Sequence, residues 1–215
     1  EIGLGIPAEP LFLSASEYDL DPEMTWAQSD LVRQKKMDND FYGVVASLNY
    51  NNHENLQATL VGGWNKYDGD HFGQIKWVKM PVSELMPDHP YYDENAKKTD
   101  FNIYSKLMYD FLPGLNAYVD MQYRHVGIKM VGPTDEIDWD TNKRIVYDMK
   151  ESFDFFNPKA GLNYDITPNH KAYVSYAIAH KEPTRNNYQD NMNAELPMPK
   201  SERLNDLEAG YKYTS

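Results

Sequence analysis

Apolar and polar residues alternate along most of the chain, and this alternation predicts strands rather than helices. A period of two is expected when one face of a strand is apolar and the other is polar. No window of useful length carries the i, i+3, i+4, i+7 stripe of an amphipathic helix. The pattern predicts seven strands, at about residues 40–51, 56–68, 100–111, 115–129, 153–166, 170–182 and 203–214.

The connections between these strands alternate between short and long. Residues 51–55, 112–114 and 167–169 are short turns, whereas about 69–99, 130–152 and 183–202 are long. Residues 1–39 are predicted to be a further long loop outside the cell. Long loops are uncommon in a compact soluble domain, but transmembrane β-barrels combine short periplasmic turns with longer extracellular loops.

Aromatic residues mark both ends of the apolar faces. In three strands an aromatic residue opens the apolar stripe and a tyrosine closes it eight residues later. Eight steps of about 3.3 Å, tilted by about 40°, rise about 20 Å, which is close to the ~25 Å apolar band of a transmembrane barrel. The rings are therefore predicted to form a girdle at the lipid interfaces, made of Tyr42, Tyr50, Trp64, Phe101, Tyr109, Tyr123, Phe156, Tyr164 and Tyr213.

A soluble β-sandwich is the alternative, since its strands also alternate apolar and polar residues and it buries the apolar faces in a core. Soluble strands average five or six residues, and the predicted strands are longer. If the polar faces of the strands faced lipid instead, Lys106, Arg124 or Lys159 would lie at mid-bilayer, at a cost of about 2–4 kcal/mol each. The pattern therefore favours an all-β fold, a segment of an antiparallel transmembrane β-barrel. Pro158 cannot donate to a ladder and is predicted to lie at an edge or bulge.

Composition excludes several classes of protein. The 215 residues carry a formal net charge of −12, which argues against nucleic acid as a partner. The chain has no cysteine, so disulfides and thiolate metal sites are excluded. A mean hydropathy of −0.73 is typical of soluble proteins, but the alternating strands of a membrane barrel give low values as well. Seven strands are fewer than such barrels use, so the chain is predicted to be one part of a larger barrel.

The last third of the chain carries a series of motifs. They are Asn157-Pro158-Lys159, Tyr173-Val174-Ser175-Tyr176, Glu182-Pro183-Thr184, Ser201-Glu202 and Glu208-Ala209-Gly210-Tyr211-Lys212-Tyr213. In kind and order they resemble the barrel domain of TonB-dependent outer-membrane receptors. Glu182 departs from the small residue usual before Pro183, and Ser201 stands where the family often has proline. The stretches NDFYGVVASLNY and GGWNKYDGDHFGQIKW are similar to receptors of Bacteroides-type bacteria.

The resemblance implies a transporter in the outer membrane of a Gram-negative bacterium. Residues 40–215 would then be about seven strands of a 22-stranded barrel, whose plug domain and other strands lie outside this sequence. The implied partners are outer-membrane lipid, a small nutrient, and TonB acting through the plug. Ferric siderophore, cobalamin, haem and oligosaccharide remain open as nutrients, with a siderophore first by family frequency.

Two predicted loops carry candidate ligand-binding residues. Asp68, Asp70 and His71 in YDGDHFG suit a divalent cation or the polar edge of a ferric ligand, although an Asp-Gly turn is the favoured interpretation. Lys181, Arg185 and Tyr188 open the loop after the sixth strand and suit an anionic or aromatic ligand. Lys181 and Arg185 could instead pair with lumen acids, and His71 or His180 could ligate haem.

Acidic residues in DEIDWD form a candidate calcium site. Asp135, Asp138 and Asp140 could supply oxygen ligands, but the sequence lacks the glycine and final glutamate of an EF-hand loop, and a solvated acidic loop is favoured. No cofactor is otherwise expected. No catalytic motif is present, so we do not expect an enzyme. The alternatives are another outer-membrane barrel, either a passive porin or an enzyme whose rim site pairs Asp70 with His71 or Asp138 with His125.

Overall fold

The computed structural model describes residues 30–79, 87–88, 90–138, 143–193 and 196–214. These residues form seven strands and one helix. Within them, no helix is both long and apolar enough to cross a membrane. In chain order the elements are β1 Leu31–Asn51, β2 Leu56–Val78, β3 Pro90–Leu112, β4 Leu115–Asp138, β5 Lys143–Thr167, β6 His170–Lys181, α1 Arg185–Asn193 and β7 Glu202–Tyr213.

All seven strands belong to one sheet in the order β1 to β7, and each pairs antiparallel with the next. The predicted all-β fold and the number of strands are therefore confirmed. In the described residues the sheet does not close on itself, because β1 and β7 are its two edges. This architecture is that of a partial barrel wall.

The first five strands are longer than predicted. β1 begins at Leu31, β2 and β3 remain paired up to Gln74↔Pro90, and β4 and β5 remain paired up to Asp138↔Lys143. Most of the predicted connections 69–99 and 130–152 are therefore strand. Both faces of these extensions carry polar residues, so the alternation that reveals a half-apolar strand fades there although the backbone ladder continues.

Tight turns join the strands at the opposite end of the sheet. After β1, the side-chain oxygen of Asn52 accepts hydrogen bonds from the backbone nitrogens of Asn55 (3.1 Å) and Leu56 (2.9 Å). After β3, Gly114 adopts a φ of 83°, which a side chain would disfavour. All three predicted short turns are present in the structure.

One face of the sheet, here called the outward face, is apolar and uncovered. Leu48 is 71% exposed and Leu107 is 51% exposed, and Leu162 and Val174 are exposed as well. A β-sandwich would bury this face against a second sheet. At the margin of this face away from the tight turns, here called the upper margin, aromatic residues pair across neighbouring strands, as Trp64↔Phe101 and Tyr123↔Phe156. The arrangement is that expected of a barrel wall facing lipid.

Pro158 lies just beyond the point where one ladder ends. β5 pairs with β6 only from Lys159↔Ala177 towards the turn. Above that point β5 continues against β4 alone, and the Asn157 side chain accepts a hydrogen bond from the backbone of His180 (3.0 Å). The predicted edge position of Pro158 is confirmed.

The helix α1 packs against the opposite, inward face of the extended strands. Tyr188 of α1 is buried with Met130, Tyr147 and Met149. Thr184 caps the helix: its hydroxyl lies 3.4 Å from the backbone nitrogen of Asn187, whose side chain in turn accepts the Thr184 backbone N–H (2.8 Å). This reciprocal arrangement is a capping box with asparagine in the place of glutamate.

Candidate ligand-binding site

A polar pocket of about 620 Å³ lies between α1 and the inward face of the extended strands. β1 contributes Lys35, β2 contributes His71, β3 contributes Tyr92 and β4 contributes Asp135, while Arg185 comes from α1. Its volume is in the range of about 300–1,000 Å³ that is usual for small-molecule sites. The pocket lies beyond the upper aromatic residues, at the end of the sheet opposite the tight turns.

Arg185 joins α1 to two strands. Its guanidinium donates to Nδ1 of His71 (2.9 Å) and to the carboxylate of Glu94. Because a guanidinium can only donate, Nδ1 must be the accepting nitrogen and the ring is neutral with its proton on Nε2. That nitrogen lies 3.2 Å from the hydroxyl of Tyr67. Burial and the charge of Arg185 both lower the pKa of His71, which agrees with a neutral ring.

Glu94 is the most buried carboxylate of this group, at 3% exposure. Burial raises its pKa, and the charge of Arg185 opposes that effect. One oxygen binds Arg185, and the other has no hydrogen-bond partner among the described residues. Arg185 is therefore the group that makes a buried carboxylate tolerable here.

Asp135 closes the pocket on another side by an ion pair with Lys35. Burial acts to raise the pKa of Asp135, but the hydrogen bond and charge of Lys35, a backbone hydrogen bond and the charge of Arg185 together lower it below its ordinary value. The carboxylate predicted to bind calcium thus already has a cationic partner. Asp138 lies at the end of β4, and Asp140 lies outside the described residues. Within the described ranges no three His, Asp or Glu side chains are grouped to hold a metal ion, and calcium binding stays a prediction.

The structure separates Asp68 and Asp70 from His71. All three lie in β2, where successive side chains point to opposite faces. Asp68 and Asp70 face outward and accept hydrogen bonds from Asn95 (2.9 and 2.7 Å), while Lys97 also binds Asp68 (2.8 Å). The Asp-Gly turn favoured from the sequence is wrong, because the ladder continues through these residues.

The acid and histidine pairs that a rim-site enzyme would use are also apart. His71 turns inward, away from Asp70, as described above. His125 lies on the outward face and binds Asp154 (2.8 Å) rather than Asp138. Asp154 also accepts a hydrogen bond from Tyr123 (2.6 Å).

The three residues predicted around the sixth strand have different surroundings. Arg185 lines the pocket with His71. Tyr188, 1% exposed, packs on the strands rather than facing the pocket. Lys181 is exposed at the end of β6, opposite Glu202. His180 has the same even parity as the outward residues of β6, but its ring stacks on the buried Phe155 at 5.7 Å, because β6 no longer pairs with β5 beyond Ala177.

A second ionic group fixes the chain just before α1. Glu182 accepts hydrogen bonds from both terminal nitrogens of Arg124 (2.8 and 3.0 Å) and from Lys98, and Arg124 also binds Asp100 (2.8 Å). Burial opposes ionisation, but these cations lower the pKa of Glu182 to about 2. The unusual glutamate before Pro183 therefore anchors the segment that carries Arg185.

Sequence reasoning missed Lys35, Tyr92 and Glu94 because they lie in segments predicted to be loops. A signal was present in β3, where Tyr92, Glu94, Lys98 and Asp100 recur at even spacing and share the inward face. Following that spacing beyond the apolar band would have extended the strand. The pairing of α1 with β2 depends on tertiary packing and has no local signal.

The family model described as TonB dependent receptor-like, beta-barrel matches residues 11–215. The chain belongs to the TonB-dependent receptors. No curated protein matches the chain by sequence. Members of this family are receptors and transporters of the Gram-negative outer membrane. A barrel in a membrane turns an apolar face to lipid, which is the kind of face that this sheet exposes.

A solved structure shows the same fold. The ferric yersiniabactin uptake receptor FyuA from Yersinia pestis is similar over 87% of this chain, with a TM-score of 0.53 and 12% sequence identity. The matched part is 29% of the FyuA chain, so this chain spans less than a third of that receptor. Since FyuA comes from Yersinia, the likeness to Bacteroides-type receptors stays a prediction.

Proposed function

We propose that this chain is part of the barrel wall of an outer-membrane transporter that takes up a scarce nutrient, such as a ferric siderophore, cobalamin or haem, with energy from TonB. The observation that carries the proposal is the division of one sheet into two faces. The outward face is apolar and exposed, whereas the inward face is polar and bears a pocket beyond the aromatic residues. A wall between lipid and a hydrated lumen needs this division.

The inward face within the apolar band supports contact with a plug or with water. Asn163 donates to Asn116 (2.8 Å) and Asn157 donates to Gln122 (3.0 Å) across neighbouring strands. Lys106 lies 4.0 Å from Asp120 on the same face. Such groups suit contact with a plug domain that couples the barrel to TonB. Membership of the family favours a barrel with a plug over a passive porin.

The orientation follows from the same features. The tight turns would face the periplasm, and the extended strands with α1 would face the medium. Residues 31–39 of β1 lie in the extended part of the sheet, paired with residues of β2 beyond Trp64. This position supports an extracellular location for the described part of residues 1–39.

A ferric siderophore is the nutrient to test first. FyuA is a ferric siderophore receptor by its description, and at 12% identity it supports the fold and only suggests the ligand. The test is uptake of radioactive iron, supplied as several ferric siderophores, by cells that carry or lack the full-length receptor gene. We expect uptake that requires both the receptor and TonB. Equal uptake by the deletion strain for every nutrient tried, cobalamin and haem included, would refute the proposal.

A further inference from the structure

We propose that the pocket beneath α1 selects a ligand without net negative charge, such as a neutral ferric trihydroxamate, against an anionic ligand such as a ferric tris-catecholate. The inference rests on the proposed function and names the class of substrate for the same site. Three hydroxamate monoanions neutralise ferric iron, whereas three catecholate dianions leave a trianion. The two classes therefore differ mainly in charge, and the charges of the pocket decide between them.

Among the described residues that line it, the pocket offers no excess of positive charge. Its lining includes three basic and three acidic residues, and His71 between them is neutral. Glu94 beneath Arg185 adds a fourth carboxylate. The cations are Lys35, Lys36 and Arg185, and the lining carboxylates are Asp135, Glu136 and Asp190.

Each of these cations also has a partner within the protein. Lys35 is paired with Asp135, and Arg185 is shared by Glu94 and His71. Lys36 has the outward parity of β1, where it donates to the side-chain oxygen of Gln74 (3.2 Å) and lies 5.8 Å from the centre of the Phe72 ring. An anion that bound Arg185 would compete with Glu94 for its positive charge, and displacing Glu94 would leave a buried carboxylate unpaired.

The remaining lining favours hydrogen bonding to a neutral ligand. Asn186 and Gln189 of α1 supply amides, and Glu136 and Asp190 supply carboxylate acceptors. Amide N–H and hydroxyl groups are abundant at the periphery of a hydroxamate siderophore and match these acceptors. A trianion would instead meet Glu136 and Asp190 as like charges, which disfavour each other most in a partly enclosed pocket.

The test compares two ferric complexes on the purified full-length receptor in detergent, by quenching of tryptophan fluorescence. Ferrichrome is a neutral trihydroxamate, and ferric enterobactin is a tris-catecholate trianion. We expect ferrichrome to bind at least about tenfold more tightly, a difference of about 1.4 kcal/mol. We also expect its affinity to change little with salt.

A matched pair of variants locates the selectivity in the pocket. Glu136→Lys with Asp190→Lys reverses two charges in the lining, whereas Asp38→Lys with Asp40→Lys makes the same change of net charge at exposed outward positions of β1. We expect the lining variant to gain affinity for ferric enterobactin by about tenfold. The outward variant should keep the selectivity of the unmodified receptor.

Tighter binding of ferric enterobactin by the unmodified receptor, equal effects of the two variant pairs, or binding of neither complex would each overturn the inference. These outcomes leave the proposed function intact as long as cells show receptor- and TonB-dependent uptake of some nutrient. Absence of all such uptake would instead refute the proposed function itself.

Discussion

At the scale of single residues, Arg185 has the largest expected effect on the pocket because it binds groups from two strands at once. It satisfies the buried Glu94 and fixes the tautomer of His71. Glu182, three residues earlier, is held by Arg124 and Lys98 on neighbouring strands. These ion pairs set the position of α1 over the pocket.

Replacing Arg185 by alanine should weaken ligand binding and free α1. Glu94 would be left as a buried carboxylate without its cation, so we expect a loss of about 1.5–3 kcal/mol in the local stability of α1. Ligand affinity should fall about tenfold or more in a binding titration. Arg203→Ala is the matched control, since Arg203 is exposed on β7 and its hydrogen bond is to Asn205. Equal effects of the two changes would contradict this role of Arg185.

Mild acid should loosen α1 through His71. The pKa of His71 is lowered from 6.5 by burial and by Arg185, so its stabilising effect is complete above that ordinary value and is lost as the pH falls through the folded-state value. Asp135 and Asp70 oppose this loss, and Glu94, whose pKa burial raises, gains stability in acid. Glu182, with its pKa of about 2, loses its contribution only well below pH 4.5.

The measurement is hydrogen exchange of residues 185–193 in the full-length receptor at about pH 7.5 and about pH 5.5, corrected for the intrinsic rate. We expect protection to fall roughly three- to tenfold in acid. His71→Gln should remove the difference, because its amide oxygen accepts from Arg185 at both pH values. A difference of the same size in His71→Gln would show that another group is responsible.

The sequence selected His71 and Arg185 as candidate binding residues, and the structure places both at the pocket, but the sequence grouped His71 with the wrong neighbours. Adjacency in YDGDHFG suggested one cluster, whereas strand geometry sends Asp70 and His71 to opposite faces. Glu94 pairs with His71 across β2 and β3, and Arg185 arrives from a distant helix. Such contacts depend on register and packing, which local sequence does not specify.

At the scale of elements, α1 forms without the apolar stripe that identifies a surface helix. Its nine residues are largely polar, and the Thr184 capping box and the burial of Tyr188 hold it in place. The strands within the apolar band were predictable because one face is apolar throughout. Their extensions were not, since above Trp64 the backbone ladder continues without an apolar face.

Tyr188 should stabilise α1 through its ring alone. Tyr188→Ala removes a buried aromatic side chain, which typically costs about 3–5 kcal/mol. Tyr188→Phe should be close to neutral, because the hydroxyl has no hydrogen-bond partner among the described residues. Hydrogen exchange of residues 185–193 measures both variants. Equal protection in the alanine variant and the unmodified receptor would contradict the packing seen here.

At the scale of the whole molecule, the sheet is a wall with two unlike surfaces and two open edges. Among the described residues, nothing pairs with the outer edges of β1 and β7, and a membrane does not tolerate unpaired ladder groups. Further strands of the receptor are therefore expected to pair with both edges. The family match and the likeness to 29% of the FyuA chain agree with this view.

Arginine substitutions at neighbouring positions should separate the two surfaces. Leu107 is on the outward face and Met108 follows it on the inward face of β3. Leu107→Arg places a charge in the apolar band and should cost about 2–4 kcal/mol, whereas Met108→Arg faces the lumen and should cost far less. Folding in lipid vesicles, followed by the gel shift of the folded barrel, measures both. Similar costs would argue against a lipid-facing outward surface.

The most direct test of the central claim is the access of lipid to alternate positions along the strands. Single cysteines are placed at Leu48, Leu107, Leu162 and Val174, and at their inward neighbours Asn49, Met108, Asn163 and Ser175, in a full-length receptor otherwise free of cysteine. A fluorophore on each cysteine is then measured in vesicles with brominated acyl chains. The account predicts strong quenching at the first four positions and weak quenching at the second four; equal quenching of both sets would contradict it.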